Sequence, residues 1–207
     1  MKLITRLWDA EYSLREEGDG SLPSLIGHAA VFNQVYETKW FTEEIAAGAF
    51  KDSIAAGGDI AALWNHDSGM PLARVPDTLH LSEDEKGLLA RIKPTNTSYG
   101  RDLVENIRHG VVRKMSFGFQ IEKEEADTSG DKPHYRILKV KLWEVSPVTF
   151  PAYSQTDLQL ADDEGRARSR LEAALRAKGD GSEKNLDRIM AELALRQREV
   201  ELLKAFA

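Results

Sequence analysis

The chain contains no cysteine among its 207 residues. That excludes disulfide scaffolds, zinc ribbons, thiol nucleophiles and cysteine-ligated clusters, and it fits a reducing, cytosolic setting. No apolar stretch approaches the roughly 18 residues needed to span a bilayer, so no membrane partner is expected. The N-terminal MKLITRLWDAEYSLREEG has no long apolar run and meets charge early, unlike a secretory signal. Basic charge is not in excess: 28 Lys and Arg stand against 34 Asp and Glu, a net charge of −6. Non-specific nucleic-acid binding needs a basic surface, and none is expected here. There is no Walker loop, G-x-G-x-x-G, H-E-x-x-H or G-x-S-x-G. The five histidines, His28, His66, His80, His109 and His134, show no metal-ligand spacing, so neither a metal nor a cofactor is expected.

What is present is an ordinary globular balance, 42% hydrophobic and 30% charged. The length fits one domain with an appendage or two small domains. The character changes near residue 160. Before it, apolar segments are short, β-branched or aromatic, and punctuated by Gly, Pro, Asn and Asp. After it come Ala, Leu, Arg and Glu, with no proline. This predicts a domain over 1–160 and a helical tail over 161–207.

Strands are expected at Lys2–Trp8, Leu25–Phe32, Asp59–Trp64, Thr78–Leu81, Gly87–Ile92, Met115–Glu122 and Tyr135–Val145. In the last, Leu138, Val140 and Leu142 alternate with Lys139, Lys141 and Trp143, the period of a strand with one buried face. Turn chemistry at Gly18-Asp19-Gly20 and at Thr128–Pro133 separates them, the second closing a hairpin. One helix is expected over about Phe41–Ala56, interrupted near Gly48, capped by Thr42 with Glu43 and Glu44 in its first turn. Another is expected over Tyr99–His109, capped by Thr97 or Ser98, striped by Leu103, Val104 and Ile107, and ended by Gly110. The fold class is α+β, mainly β: a compact, barrel-like domain with a few inserted helices. Residues 165–206 read as a helical hairpin broken at Gly179-Asp180-Gly181, with Ser182 capping its second half. There Leu186, Ile189, Leu193, Val200 and Leu203 form a narrow seam, with Arg196 at one of its positions. The seam suits either packing on its own domain or a partner-binding, self-associating coiled coil.

Without cysteine, nucleophilic catalysis needs Ser, Thr, Lys or a carboxylate, and a serine needs a neighbouring base. His66, in Asn65-His66-Asp67, ends the apolar strand Ile60–Trp64, where rigid backbone holds it within reach of a cleft. It suits a general base or a structural hydrogen bond. Ser116 lies in Lys114-Met115-Ser116-Phe117-Gly118-Phe119, where bulky and small residues alternate. The small face would let a second chain lie close, so Ser116 suits a nucleophile facing an extended peptide, or a polar residue on a solvated face. Glu144 ends the clearest strand and can orient a histidine or stand as a surface charge.

Taken in order, Gly27-His28-Ala29-Ala30-Val31-Phe32-Asn33, Glu44-Ile45 with Gly48-Ala49-Phe50, Leu63-Trp64-Asn65-His66-Asp67, Thr97 through Gly100-Arg101-Asp102, Met115-Ser116-Phe117-Gly118-Phe119, and Glu144-Val145-Ser146-Pro147-Val148-Thr149 with Pro151-Ala152-Tyr153 form one ordered set. Over roughly residues 20–158 this set resembles the prohead maturation serine proteases of tailed bacteriophages, distant relatives of the herpesvirus assembly proteases. The resemblance implies a small closed β-barrel ringed by helices, working inside the procapsid in the host cytoplasm. It implies removal of scaffolding segments from the major capsid protein, self-cleavage and self-association. Carried over by position, His66 is the general base, Ser116 the nucleophile and Glu144 the third member. The herpesvirus relatives use a second histidine there, which makes His80 and His134 the alternatives. Arg101 is expected to structure the helix start through Asp102 or to support the oxyanion loop. Self-cleavage near Ala161–Gly165 is also in view. The competing class is a non-enzymatic capsid assembly or scaffold protein with a protease-like fold; a generic β-barrel binding module is a further one.

Overall fold

A computed structural model describes residues 4–9, 13–18, 21–149, 157–179 and 182–205. In chain order the elements are β1 (Ile4–Asp9), β2 (Ser13–Arg15), β3 (Ser24–Val31), β4 (Tyr36–Glu37), β5 (Thr42–Ile45), α1 (Lys51–Ala55), β6 (Ala61–Trp64), β7 (Asp67–Arg74), β8 (Leu79–Glu83), β9 (Gly87–Ile92), α2 (Ser98–Arg108), β10 (Lys114–Asp127), β11 (His134–Val148), α3 (Asp157–Ala177) and α4 (Glu183–Ala205). They form two compact units. The first comprises Met1–Gln34, Ile45–Lys123 and Ile137–Ser154; the second comprises Val35–Glu44, Glu124–Arg136 and Gln155–Ala207.

The mainly β character with a few helices holds, but the expected closed barrel is not found among the described residues. Seven strands form a sheet ordered β1-β10-β11-β5-β4, with β6 on β11 and β7 on β6; four more are ordered β2-β3-β9-β8. End strands in both sheets keep a single strand neighbour, so neither sheet closes. The reason lies in β11, 15 residues long. It bonds the β5 segment near its start, at Ile137, and the parallel strand β6 at Glu144 and Val145, so the sheet forks instead of curling round.

The first unit's core is built by period-2 burial. Leu25, Ala30, Leu88, Ala90 and Ile92 from β3 and β9 are wholly buried, as are Met115, Phe117 and Phe119 from β10. Burying each large apolar side chain contributes about 1.5–3 kcal/mol. α2 follows its sequence signals. The Thr97 hydroxyl accepts the Gly100 N–H at 3.1 Å, Leu103 and Val104 are buried, and Gly110 follows the helix with φ +66°. In β11, Val140 and Leu142 are buried as expected, but Ile137 takes the core position in place of Leu138; the phase changes between Ile137 and Val140.

The helix expected over Phe41–Ala56 is only the short α1. Thr42–Ile45 is strand β5, paired with β4 at Tyr36↔Glu43 and Glu37↔Thr42. Glu43 is buried there instead of sitting in a solvated first helical turn. β7 is also additional to the expected strands, because Gly69, Pro71 and an irregular register hide its alternation.

In the second unit, Trp40, Phe41 and Tyr135 pack with Ala167, Leu171 and Leu175 of α3 and Leu186, Met190 and Leu193 of α4. Arg170 donates to Glu43 at 2.6 Å and to Glu124, and its guanidinium lies 3.8 Å from the Tyr135 ring centre. The helical break has Gly179 at φ +80°, and the Ser182 hydroxyl accepts the Asn185 N–H. Leu186 and Leu193 of the expected seam are thus covered within the chain, and Ile189 is half-buried. The side chains of Arg196, Val200 and Leu203 lie outside the described residues, as do Asp19-Gly20, Pro151-Ala152-Tyr153, the Ala161–Glu164 side chains and Asp180-Gly181.

Candidate active site

β6 and β7 are joined by the two-residue turn Asn65-His66, with φ of +55° and +61°. These signs match the primed turns that fit the twist of a hairpin, and asparagine is favoured at the first of the two places. Histidine at positive φ is uncommon and persists only where its surroundings hold it. Here they do. The Asn65 N–H donates to the Pro147 carbonyl at 3.0 Å, and its side-chain carbonyl accepts the Thr149 N–H at 2.9 Å. The turn is therefore pinned to the end of β11, continuing the parallel register Ala61↔Glu144 and Ala62↔Val145.

This pinning puts the His66 ring on Glu144. His66 Nδ1 and Glu144 Oε1 are 2.7 Å apart. The Glu144 side chain is 6% exposed and that of His66 26%. An ionised carboxylate only accepts, so Nδ1 carries the proton and Nε2 is left as the basic nitrogen. Nε2 is buried and has no hydrogen-bond partner among the described residues. The other carboxylate oxygen of Glu144 accepts the Ser146 hydroxyl. Ser146 was not singled out from the sequence; its only signal is the i, i+2 spacing that places it on the same face of the strand.

Ser116 sits on β10, the hydrogen-bonded neighbour of β11. Its flanking residues lock the strand's orientation. Phe117 and Phe119 stack at 4.9 Å, and Phe50 meets Phe117 edge-on at 5.5 Å. The pleat then turns Ser116 and Gly118 to the opposite face. That face is not open, as the sequence suggested. Ser116 is wholly buried, and β1 runs alongside with Leu7 opposite Ser116 and Thr5 opposite Gly118. β11, which carries Glu144, lies between β10 and β6 in the sheet. Ser116, Glu144 and His66 thus come from β10, from β11 and from the end of β6, three strands that share β11.

The alternative histidines are elsewhere. His80 is exposed on β8, opposite Arg91. His134 Nδ1 meets the Thr42 hydroxyl at 2.9 Å in the second unit. His28 forms a second histidine–carboxylate pair with Asp84, at 2.8 Å, between residues 56 apart that no local signal connects. Burial raises the Asp84 pKa, but the bonds from His28, Gly87 and Lys86 outweigh it and hold the carboxyl below its usual range. Arg101 structures the start of α2 through Asn96, at 2.9 Å, and not through Asp102.

Residues 10–170 match the family described as caudovirus prohead serine protease. The chain belongs to that family. Its relatives include the prohead protease of Enterobacteria phage HK97, 33% identical over 162 residues that cover 76% of this chain and 68% of that protein. Among solved structures, the bacteriophage T4 capsid assembly protease shares the fold, with a TM-score of 0.50 and 13% identity over 72% of this chain and 98% of that one. As a caudovirus prohead protease the chain is a serine peptidase of procapsid maturation.

Proposed function

We propose that His66, Ser116 and Glu144 are the catalytic residues, and that they cleave scaffolding segments from the major capsid protein, and the protease itself, by acyl transfer. The observation that carries this reading is the His66–Glu144 bond of 2.7 Å beside a buried Nε2 that has no partner among the described residues. Nε2 takes the Ser116 proton as Oγ bonds to the peptide carbonyl carbon. Collapse of the tetrahedral intermediate breaks the C–N bond, and His66 passes the proton to the leaving amine. A water, deprotonated by His66, then attacks the acyl ester; its hydroxyl goes to the acid product and its proton returns to Ser116. Glu144 keeps the ring in the required tautomer and stabilises the imidazolium. Arg101, bonded to Asn96, serves the helix start.

With this reading go a catalytic domain over 1–160 and a tail over 161–207 for scaffold binding or self-association, inside the procapsid in the host cytoplasm. The burial of Ser116 means that acylation follows movement of whatever covers it. The test is therefore run by co-expression with the capsid protein. Ser116→Ala and His66→Ala each abolish processing and leave the protease full-length; Glu144→Gln costs less, about 10²–10⁴ in rate. Capsid protein still processed by Ser116→Ala would remove the nucleophile assignment. A serine-reactive phosphonate labels Ser116 in the parent and nothing in Ser116→Ala.

A further inference from the structure

An extended substrate needs an edge near His66, and most strand edges there are occupied. β10 lies between β1 and β11, β11 bonds β10, β5 and β6, and β6 lies between β11 and β7. Among the described residues, β7 has one strand partner. Its pairing to β6 jumps from Trp64↔Asp67 to Leu63↔Pro71, leaving Ser68, Gly69 and Met70 as a bulge directly after the histidine turn. Bulges of this kind re-aim side chains beside active sites.

The bulge is held, not slack. The Asp67 carboxylate accepts the Gly69 N–H at 2.7 Å. On the far side, the Tyr99 hydroxyl donates to the Pro71 carbonyl at 3.0 Å, and the Thr95 N–H to the Leu72 carbonyl at 2.9 Å. Those bonds occupy the edge beyond residue 70 and leave the bulge itself exposed. At its end stands Met70, 37% exposed, one of few large apolar side chains open to solvent among the described residues. Methionine is an adaptable apolar side chain, suited to an irregular binding surface. Beside it, at the end of β6 and in the turn, Trp64 Nε1 and His66 Nε2 are both buried and have no hydrogen-bond partner among the described residues.

We propose that the Ser68–Met70 bulge is a wall of the substrate channel, and that Met70 receives an apolar side chain of the extended peptide close to the scissile bond. This rests on the assignment of His66 and Ser116 above.

The test uses the full chain co-expressed with its capsid protein, with cut sites mapped by mass spectrometry. The parent cuts where Leu, Ile, Val, Met or Phe lies within about three residues of the scissile bond. Met70→Leu keeps the preference for an apolar substrate residue. Met70→Lys slows it about tenfold or more, in the range one misfitted side chain commands in a pocket. Replacing the apolar substrate residue by Glu blocks the parent and restores cleavage by Met70→Lys. That exchange of preference is not something a misfolded variant can produce. Parental rates in Met70→Lys, or slowed processing without rescue by the Glu substrate, overturn the inference while the catalytic reading stands. A parent that cleaves nothing and takes no phosphonate at Ser116 overturns both.

Discussion

The side-chain carbonyl of Asn65 accepts the main-chain N–H of Thr149 at 2.9 Å, tying the turn that carries His66 to the strand that carries Glu144. Asn65 is therefore expected to act as a positioning residue. Asn65→Gly keeps the positive φ but loses the tie, so processing falls about tenfold through kcat with KM little changed. Asn65→Ala also adds about 1–2 kcal/mol of left-handed strain and falls further. Rates of capsid-protein cleavage by the two variants check this; parental rates in Asn65→Gly would show the tie to be dispensable.

Arg170 is the keystone of the second unit. Glu43 is 2% exposed and depends on this guanidinium. Arg170→Ala takes the guanidinium away from a buried carboxylate, a change that costs about 3–5 kcal/mol. Arg170→Lys recovers little, because an ammonium cannot both fork to two carboxylates and stack on Tyr135. The pair Arg170→Met with Glu43→Leu regains more than half the loss. Urea midpoints of the four proteins measure it, and equal midpoints for parent and Arg170→Ala would refute the role.

These two cases show what could be read from sequence. α2 was legible because its determinants are local: Thr97 caps, Gly110 terminates, and Leu103 and Val104 lie at helical spacing. β5 was not, because the charge that lets Glu43 be buried comes from Arg170, 127 residues later. The candidate site shows the same divide. His66 at a strand end and Ser116 among bulky neighbours were visible, but the partner of His66 is 78 residues away, and the residues alone left Glu144 open between orienting a histidine and standing as a surface charge. The burial of Ser116 was missed because what packs over a strand face is set by residues distant in sequence, not by the strand's own alternation. The forked sheet depends on β11 changing partners, which its alternation does not reveal.

Glu17 gives the first unit an acid-sensitive contact. The Ser24 hydroxyl, the Arg91 guanidinium and the Lys93 ammonium hold its carboxyl down at about 2, against the burial that would raise it. A carboxylate with a depressed folded pKa stabilises fully above its unfolded value of 4.5 and loses that contribution as pH falls toward 2. Glu17→Gln should therefore be less stable than the parent at pH 6 and indistinguishable from it near pH 2. Urea midpoints across pH 2–6 test this; parallel curves for the two proteins would rule the contact out as the source of acid sensitivity.

Gly100 sets helix propensity against packing. Alanine at an exposed helical site is worth about 1 kcal/mol over glycine, so propensity alone makes Gly100→Ala stabilising. A Cβ at residue 100, however, would sit 2.2 Å from the Thr95 carbonyl oxygen and 3.1 Å from the Thr97 hydroxyl that caps α2. The first contact is against backbone and cannot be relieved by a rotamer change. The substitution has to move the Thr95 backbone, which also bonds Leu72, or pull the helix start away from its cap, each costing about 1–3 kcal/mol. Packing wins, and Gly100→Ala is expected to lower the melting temperature by several degrees. Thr97→Ala, which removes the cap without crowding, costs only about 1 kcal/mol. A Gly100→Ala protein as stable as the parent would mean that the approach of Thr95 to the helix is not tight.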